Sequence, residues 1–263
     1  MIEPVVVRDD PSRRLTVMLA LDGVVVSEFE LGAGEPGTVS HVHREHSDCF
    51  YVLDGTLTLS LLDGDREAGA GTFVLAPPNV AHAYRNSSSG TTRFLNLHVP
   101  GMGFDRYMLD TLDGSFDQYP PPEDGGADPA AAIVLLPGEG ERIGETIVKA
   151  ARPEVSLLEF TVEPGGSVDL HFHKLQSDSF YVLEGELEFQ VGDRVTLTTA
   201  GALVVAPPNV VHRFRNVGDS LTRVLNIHAP GGFVEYRREL AAHRAAGTEP
   251  DIAFFERHDI YDV

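Results

Sequence analysis

Apolar and polar residues alternate over short stretches through most of the chain. SLLEFTVE at 156–163, SFYVLEGELEFQV at 179–191 and TRVLNIHA at 222–229 are rich in β-branched and aromatic side chains. A period of two sends successive side chains to opposite faces, so each run predicts a half-buried strand. Turn residues separate the runs. Pro-Pro-Asn at 77–79 and again at 207–209 places an asparagine where a turn calls for positive φ, which asparagine tolerates better than most residues. A helical period emerges in GFVEYRRELAAHRAAG at 232–247, which predicts an amphipathic helix ending at Gly247, with GFDRYMLDTLDG at 103–114 as a similar closing segment. The pattern describes an all-β chain of small antiparallel barrels or sandwiches, each capped by a short helix.

The chain repeats itself. HVHREHSDCFYVLDG at 41–55 returns as HFHKLQSDSFYVLEG at 171–185, AGTFVLAPPNVAHAYRN at 70–86 as AGALVVAPPNVVHRFRN at 200–216, and TRFLNLHVPG at 92–101 as TRVLNIHAPG at 222–231. Each block moves by 130 positions (171 − 41, 212 − 82, 228 − 98), so a whole domain is duplicated. SFDQYPPPEDGGADP at 115–129 has prolines, glycines and acids without periodicity, the composition of a linker. The division that follows is a first barrel over 1–120, a linker over 121–129 and a second barrel with its terminal helix over 130–263.

The candidate chemistry recurs with the repeat. His41 and His43, like His171 and His173, stand two apart and share one strand face. A lone His-x-His is weak evidence for a metal, but here Asp48 or Asp178 follows five positions later and His82 or His212 follows the Pro-Pro-Asn turn. Side chains from such distant strands converge only inside a closed or sandwiched sheet.

These positions resemble the two motifs of the cupin superfamily, G-x5-H-x-H-x(3,4)-E-x6-G and G-x5-P-x-G-x2-H-x3-N. The first falls on His41, His43, Asp48 and Gly55 and on His171, His173, Asp178 and Gly185; the second falls on Gly71, Pro77, His82 and Asn86 and on Gly201, Pro207, His212 and Asn216. The likeness is greatest to the two-domain, quercetin-dioxygenase-like branch. It implies tandem jelly-roll (double-stranded β-helix) barrels, each holding one divalent transition metal (Fe, Mn, Ni, Cu or Zn) on three histidines and an acid. Three departures stand out. The leading glycine of the first motif is not at its usual distance. Asn79 and Asn209 replace the turn glycine, and aspartate replaces the family's glutamate in both copies. Aspartate is one methylene shorter, roughly 1.5 Å of reach. Direct ligation, contact through water and a hydrogen bond to a ligand histidine are all open to it, and so is a role as base toward substrate.

Other positions carry weaker signals. His98 and His228, two residues after Asn96 and Asn226, read either as groups near the metal that steer substrate or a proton, or as hydrogen-bonded core histidines. His46 faces Gln176 in the alignment, so it is not needed by both sites; His243 and His258 read as surface residues. Phe50 and Phe180, and more so Tyr84 and Phe214, are candidates for an apolar substrate wall against a reading as core. Arg85, Arg93, Arg215 and Arg223 alternate away from the histidine face, which disfavours sugar-phosphate isomerases, whose pockets need cations for phosphate.

Composition narrows the classes further. The 263 residues carry 40 acidic against 20 basic side chains, a net charge of −20, which repels nucleic acid and anionic membranes. One cysteine, Cys49, rules out an intramolecular disulfide, the first fourteen residues lack a secretory pattern, and no apolar run suits a spanning helix. A cytoplasmic monomer or homodimer is expected. Three imidazoles with at most one carboxylate leave coordination positions for a small-molecule substrate and dioxygen. The expected function is that of a metal-dependent dioxygenase-like oxidoreductase on a small aromatic or enol-type compound. A metal-dependent lyase, decarboxylase or isomerase, or a non-catalytic small-ligand binder, are the alternatives.

Overall fold

The computed structural model describes residues 5–9 and 12–263; part of the N-terminal stretch read for a leader therefore lies outside the described residues. Two compact units divide between Glu139 and Gly140. Each is an antiparallel β-sandwich. In the first, one sheet runs in the spatial order Val5–Asp9, Arg13–Leu21, Val24–Leu31, Thr92–Val99, Ser47–Asp54, Phe73–Ala76, Ile133–Leu135, and the other in the order Gly64–Gly69, Thr56–Leu61, His82–Arg85. The second repeats the plan with Glu141–Ile143, Thr146–Ala151, Ser156–Val162, Thr222–Ala229, Ser177–Glu184 and Leu203–Ala206 opposite Arg194–Thr199, Glu186–Val191, His212–Arg215, His171–Phe172 and Tyr261–Asp262. No helix among the described residues is long and apolar enough to cross a membrane.

Register decides which side chains face inward. Asp48 lies opposite both His98 and Ala76, and Phe50 opposite Asn96 and Val74. Asp178 and Phe180 occupy the same positions against His228 and Asn226. Residues directly opposite in a ladder share a face, so one row of each sheet carries polar groups while the next rows are apolar. In the first unit those apolar rows supply Phe29, Phe50, Tyr84 and Phe94, all buried, with the Phe29 and Phe94 rings stacked at 5.2 Å. Gly55 and Gly185 carry the chain from one sheet to the other at φ 75° and 80°, and a Cβ on Gly55 would stand 2.4 Å from the Thr91 carbonyl oxygen, so only glycine fits.

Three expectations change. The assigned linker 121–129 and the start of the assigned second barrel belong to the first unit: Ile133–Leu135 adds a strand to Phe73–Ala76, Tyr119 bridges Val42, and Ala127 N–H donates to the Asn79 carbonyl. Buried Phe116 and Asp117 anchor this return, which a composition of Pro, Gly and acids conceals. The 103–114 segment is helical only over Phe104–Met108 (α1), because Asp110 turns to φ 55° where an α-helix cannot continue. Phe233–Ala246 (α2) extends as expected and closes on Gly247 at φ 64°. A further helix, Ile252–Arg257 (α3), starts at Asp251, whose side chain accepts from Phe254 N–H. It is too short to register as a periodic signal.

The Pro-Pro-Asn turns behave as the sequence requires, with Asn79 at φ 66° and Asn209 at φ 64°, both side chains exposed. Backbone conformation, not packing, is therefore what selects asparagine there. Asn209→Gly should leave the melting temperature unchanged, whereas Asn209→Val should destabilise by about 1–2 kcal/mol. Equal losses for the two variants in thermal denaturation would show that the asparagine side chain itself matters.

Candidate metal centre

The sequence-predicted ligands converge in both units. His41, His43, Asp48 and His82 form one cluster and His171, His173, Asp178 and His212 a second, with one candidate ligand atom from each residue within 4.8 Å of the others. The Pro-Pro-Asn turn makes this possible. Asn79 N–H donates to the His43 carbonyl at 2.6 Å, and His41 and His82 exchange backbone hydrogen bonds at 3.0 and 2.9 Å. In the second unit His171 pairs with His212 and Asn209 N–H donates to the His173 carbonyl.

Every imidazole is held by a backbone carbonyl. The Nδ1–H groups of His41, His43 and His82 donate to the oxygens of Val39 (2.8 Å), Asp117 (2.5 Å) and Val80 (2.9 Å). Those of His171, His173 and His212 donate to Asp169 (2.8 Å), Asp259 (2.7 Å) and Val210 (2.9 Å). This bond fixes the tautomer that leaves the Nε2 lone pair free. Four of these Nε2 atoms face the carboxylate: His82 and His43 Nε2 lie 3.2 and 3.6 Å from Asp48 Oδ2, and His212 and His173 Nε2 lie 3.2 and 3.7 Å from Asp178 Oδ2. Lone pairs facing lone pairs repel unless a cation stands between them. One proton bridges only one such pair, and His43 and His173 Nε2 are buried without a hydrogen-bond partner. A divalent cation satisfies the whole set, so the donor atoms fit a metal.

Electrostatics divide the histidines. Burial, reinforced by His82, pushes His41 down to about 4, and burial with His212 lowers His171, so both are neutral near pH 7; at His43 and His173 burial is outweighed by Asp48 and Asp178, which raise them and mark the carboxylates' pull on a cation. Burial acts to raise the Asp48 and Asp178 carboxyls, but the surrounding imidazoles, His98 and His228 foremost, hold both well below the usual carboxylate range. The other carboxylate oxygen is also engaged. Asn96 Nδ2 donates to Asp48 Oδ1 and Asn226 Nδ2 to Asp178 Oδ1, and His98 and His228 Nε2 orient those amides from 3.0 Å. Phe104 and Phe233 stack on these two histidines at 3.7 Å. His98 and His228 are thus buried, hydrogen-bonded groups that hold the asparagine and also face the carboxylate, their Nε2 atoms 3.9 and 3.3 Å from Asp48 and Asp178 Oδ1. His46 links His98 Nδ1 to Asp117 Oδ2 at 2.8 Å each way, whereas its counterpart Gln176 donates to the Gly231 carbonyl, so the two sites differ there.

Asp117 and Asp259 are functional positions that the sequence reading missed. Beyond fixing His43 and His173 through their carbonyls, their carboxylates accept the backbone N–H groups of Arg44 and Glu45 and of Lys174, Leu175 and Gln176. Each begins an Asp-x-Tyr triplet whose tyrosine, 119 or 261, lies under Arg44 or Lys174 at 3.9 or 3.6 Å. The shared triplet was a visible signal, but its two copies stand 142 positions apart (259 − 117), outside the 130-residue repeat.

The surroundings of the two sites diverge. In the second unit a cavity of about 360 Å³ reaches His171 and Asp178 and is walled by Phe160, Phe180, Phe214 and Phe233. The first unit places Tyr84 and Phe94 where the second has Phe214 and Val224, and Tyr84 packs there on Phe29, Phe50 and Phe94. The expected wall role therefore suits Phe180 and Phe214, while Phe50 and Tyr84 are core. The four repeated arginines do turn outward: Arg85 pairs with Asp65, Arg93 with Glu28 and Arg223 with Glu184, and Arg215 is exposed. A cation that the alternation argument did not cover, Arg237 of α2, lines the cavity.

Asp259→Ala should release the C-terminal strap and expose the amides of Lys174 to Gln176, at a cost of about 1–3 kcal/mol for the buried donors left unpaired. Hydrogen exchange resolved to that segment should quicken. Unaltered protection would mean that the strap is held by something other than the Asp259 carboxylate.

Comparison with known proteins agrees with this architecture. A family model described as the cupin domain matches residues 27–98 and 158–228, together more than half of the chain. The chain is 24% identical over 245 residues to quercetin 2,3-dioxygenase of Bacillus subtilis (strain 168), covering 76% of this chain and 72% of that protein. Among solved structures, AerE from Microcystis aeruginosa superposes with a TM-score of 0.61 at 19% identity, over 86% of this chain and 96% of the other. A deletion mutant of the Bacillus subtilis oxalate decarboxylase OxdC gives 0.60 at 17% identity, over 87% and 76%. At such identities the structural likeness is one of fold. The chain belongs to the cupin family, with one cupin domain in each half.

Proposed function

We propose that each unit holds one divalent transition metal on three histidine Nε2 atoms and an aspartate oxygen, and that the C-terminal unit is a dioxygenase-like oxidoreductase acting on a small aromatic or enol-type compound. The observation that carries this reading is the aromatic-walled cavity ending on His171 and Asp178. Its volume is near the small end of the range for ligand cavities. When bound, a redox-active divalent ion supplies Lewis acidity toward a chelating oxygen and a path for electrons to dioxygen. The chain supplies the rest. The phenylalanine walls exclude water and hold a planar substrate edge-on or stacked. Asp178, with Oδ1 committed to Asn226, presents Oδ2 beside the imidazoles as the fourth donor of the set. Similarity to a quercetin 2,3-dioxygenase along most of the chain supports the same reading. In the N-terminal unit, where Tyr84 and Phe94 fill the corresponding space, the metal has a structural role.

Elemental analysis of protein purified without added metal should give two equivalents per chain, falling to one in His43→Ala and to one in His173→Ala. Oxygen uptake by iron-, manganese-, nickel- or copper-reconstituted protein with catechols and β-diketones should be lost in His173→Ala. That loss should exceed the about 10–100-fold that disturbing a ligand's outer partners costs, while His43→Ala retains uptake once thermal stability is matched. Turnover that proceeds equally well without oxygen would replace this reading with a lyase or decarboxylase on the same residues. A fully metal-loaded protein silent under both conditions would leave a ligand-binding cupin.

A further inference from the structure

The repeat equates α1 with α2 through the phenylalanines that stack on His98 and His228: Phe104 with Phe233, and Tyr107 with Tyr236. One residue further, the pair is Met108 and Arg237. Met108 packs against the apolar core of its unit. Arg237 instead lines the cavity that reaches His171 and Asp178. It stands one helical turn beyond Phe233 and so shares that residue's face of α2.

A guanidinium in such a place is costly unless something answers it. Arg237 is half-buried and, among the described residues, makes one hydrogen bond, from its Nη2 to Thr146 Oγ1 at 2.9 Å, a neutral acceptor that is itself buried. Among the described residues it forms no ion pair, unlike the adjacent Arg238, which pairs with Glu141 and Glu235. Burial works against its charge, and outweighs the support of neighbouring Tyr236. Besides the buried Asp178 of the histidine cluster, the acids that line the same cavity, Glu145 and Glu163, are exposed and set a negative rim. A planar fork with donors to spare suits a carboxylate, bound through paired hydrogen bonds. The acidic rim disfavours a dianionic phosphate.

We infer that Arg237 is the anion-recognising residue of the C-terminal cavity, and that the compound taken there carries a carboxylate besides the oxygen directed at the histidine cluster. The inference deepens the function proposed above and rests on that site being the reactive one.

Matched probes separate the two. With zinc-loaded full-length protein, calorimetric titration should show 2-hydroxybenzoate binding at least tenfold more tightly than the uncharged 2-hydroxybenzamide. Arg237→Met, which installs the residue of the other unit, should abolish that preference and leave amide binding unchanged. Arg237→Lys should keep part of it. Zinc content should stay at two equivalents in every variant, so that loss of preference is not loss of metal. Arg237→Gln, which removes the charge and keeps an amide donor on a shorter side chain, serves in place of methionine if that variant melts early. If zinc were absent while Arg237→Met still removed a carboxylate preference, the metal reading would fail and the anion site would stand. An unchanged benzoate-to-amide ratio in zinc-loaded Arg237→Met overturns the inference, as does tighter binding of phenyl phosphate than of 2-hydroxybenzoate through Arg237.

Discussion

Six hydrogen bonds from imidazole Nδ1 to backbone carbonyls hold this architecture to its chemistry. Each fixes a ring plane and a tautomer and leaves an Nε2 lone pair free, and four of the six lone pairs face one carboxylate oxygen of their unit. Four of the six accepting carbonyls lie two residues before the histidine they hold, at Val39, Val80, Asp169 and Val210, so the local chain geometry supplies them. The other two, at Asp117 and Asp259, come from segments that fold back over the sandwich. Buried lone pairs gathered around a carboxylate are unfavourable unless a cation joins them, so the sandwich preorganises a cation site at the expense of its own stability.

The outer ring of contacts follows from that arrangement. A carboxylate that lacks a methylene relative to the family motif has less reach, and an asparagine secures its second oxygen in each unit while a histidine secures the asparagine. Phenylalanines from α1 and α2 stack on those histidines and tie each helix to the site. The same chain of contacts, from carboxylate to amide to imidazole to helix, surrounds the aspartate in both units.

The units part where the duplicated plan is indifferent. Tyr84 and Phe94 complete a filled aromatic core in one, while Phe214 and Val224 leave room in the other. Met108 and Arg237, at one helical position, give an apolar plug and a cavity-facing cation. The burial of Tyr84, which pushes its phenol pKa upward despite neighbouring Arg13, marks the first space as closed packing. Duplication here has kept the cation-binding geometry and varied what surrounds it.

Much of this was legible in the chain itself. Alternation predicts strands because side chains on a strand have a period of two, and the 130-residue offset predicts the pair of domains because spacing survives without any knowledge of contacts. The clustering of these histidines and aspartates was readable for the same reason: two histidines two apart share a face, and a turn needing positive φ announces itself as Pro-Pro-Asn. Tertiary structure alone decided what depends on segments meeting across the fold. Asp117 and Asp259 reach their histidines over 74 and 86 positions, helices of unequal length precede them, and no local period connects them. The place of 121–135 in the first unit rests on a strand pairing with Phe73–Ala76, invisible to composition. Arg237 belongs to the cavity because α2 packs over the sheet, and helical phase fixes a face without naming what that face will meet.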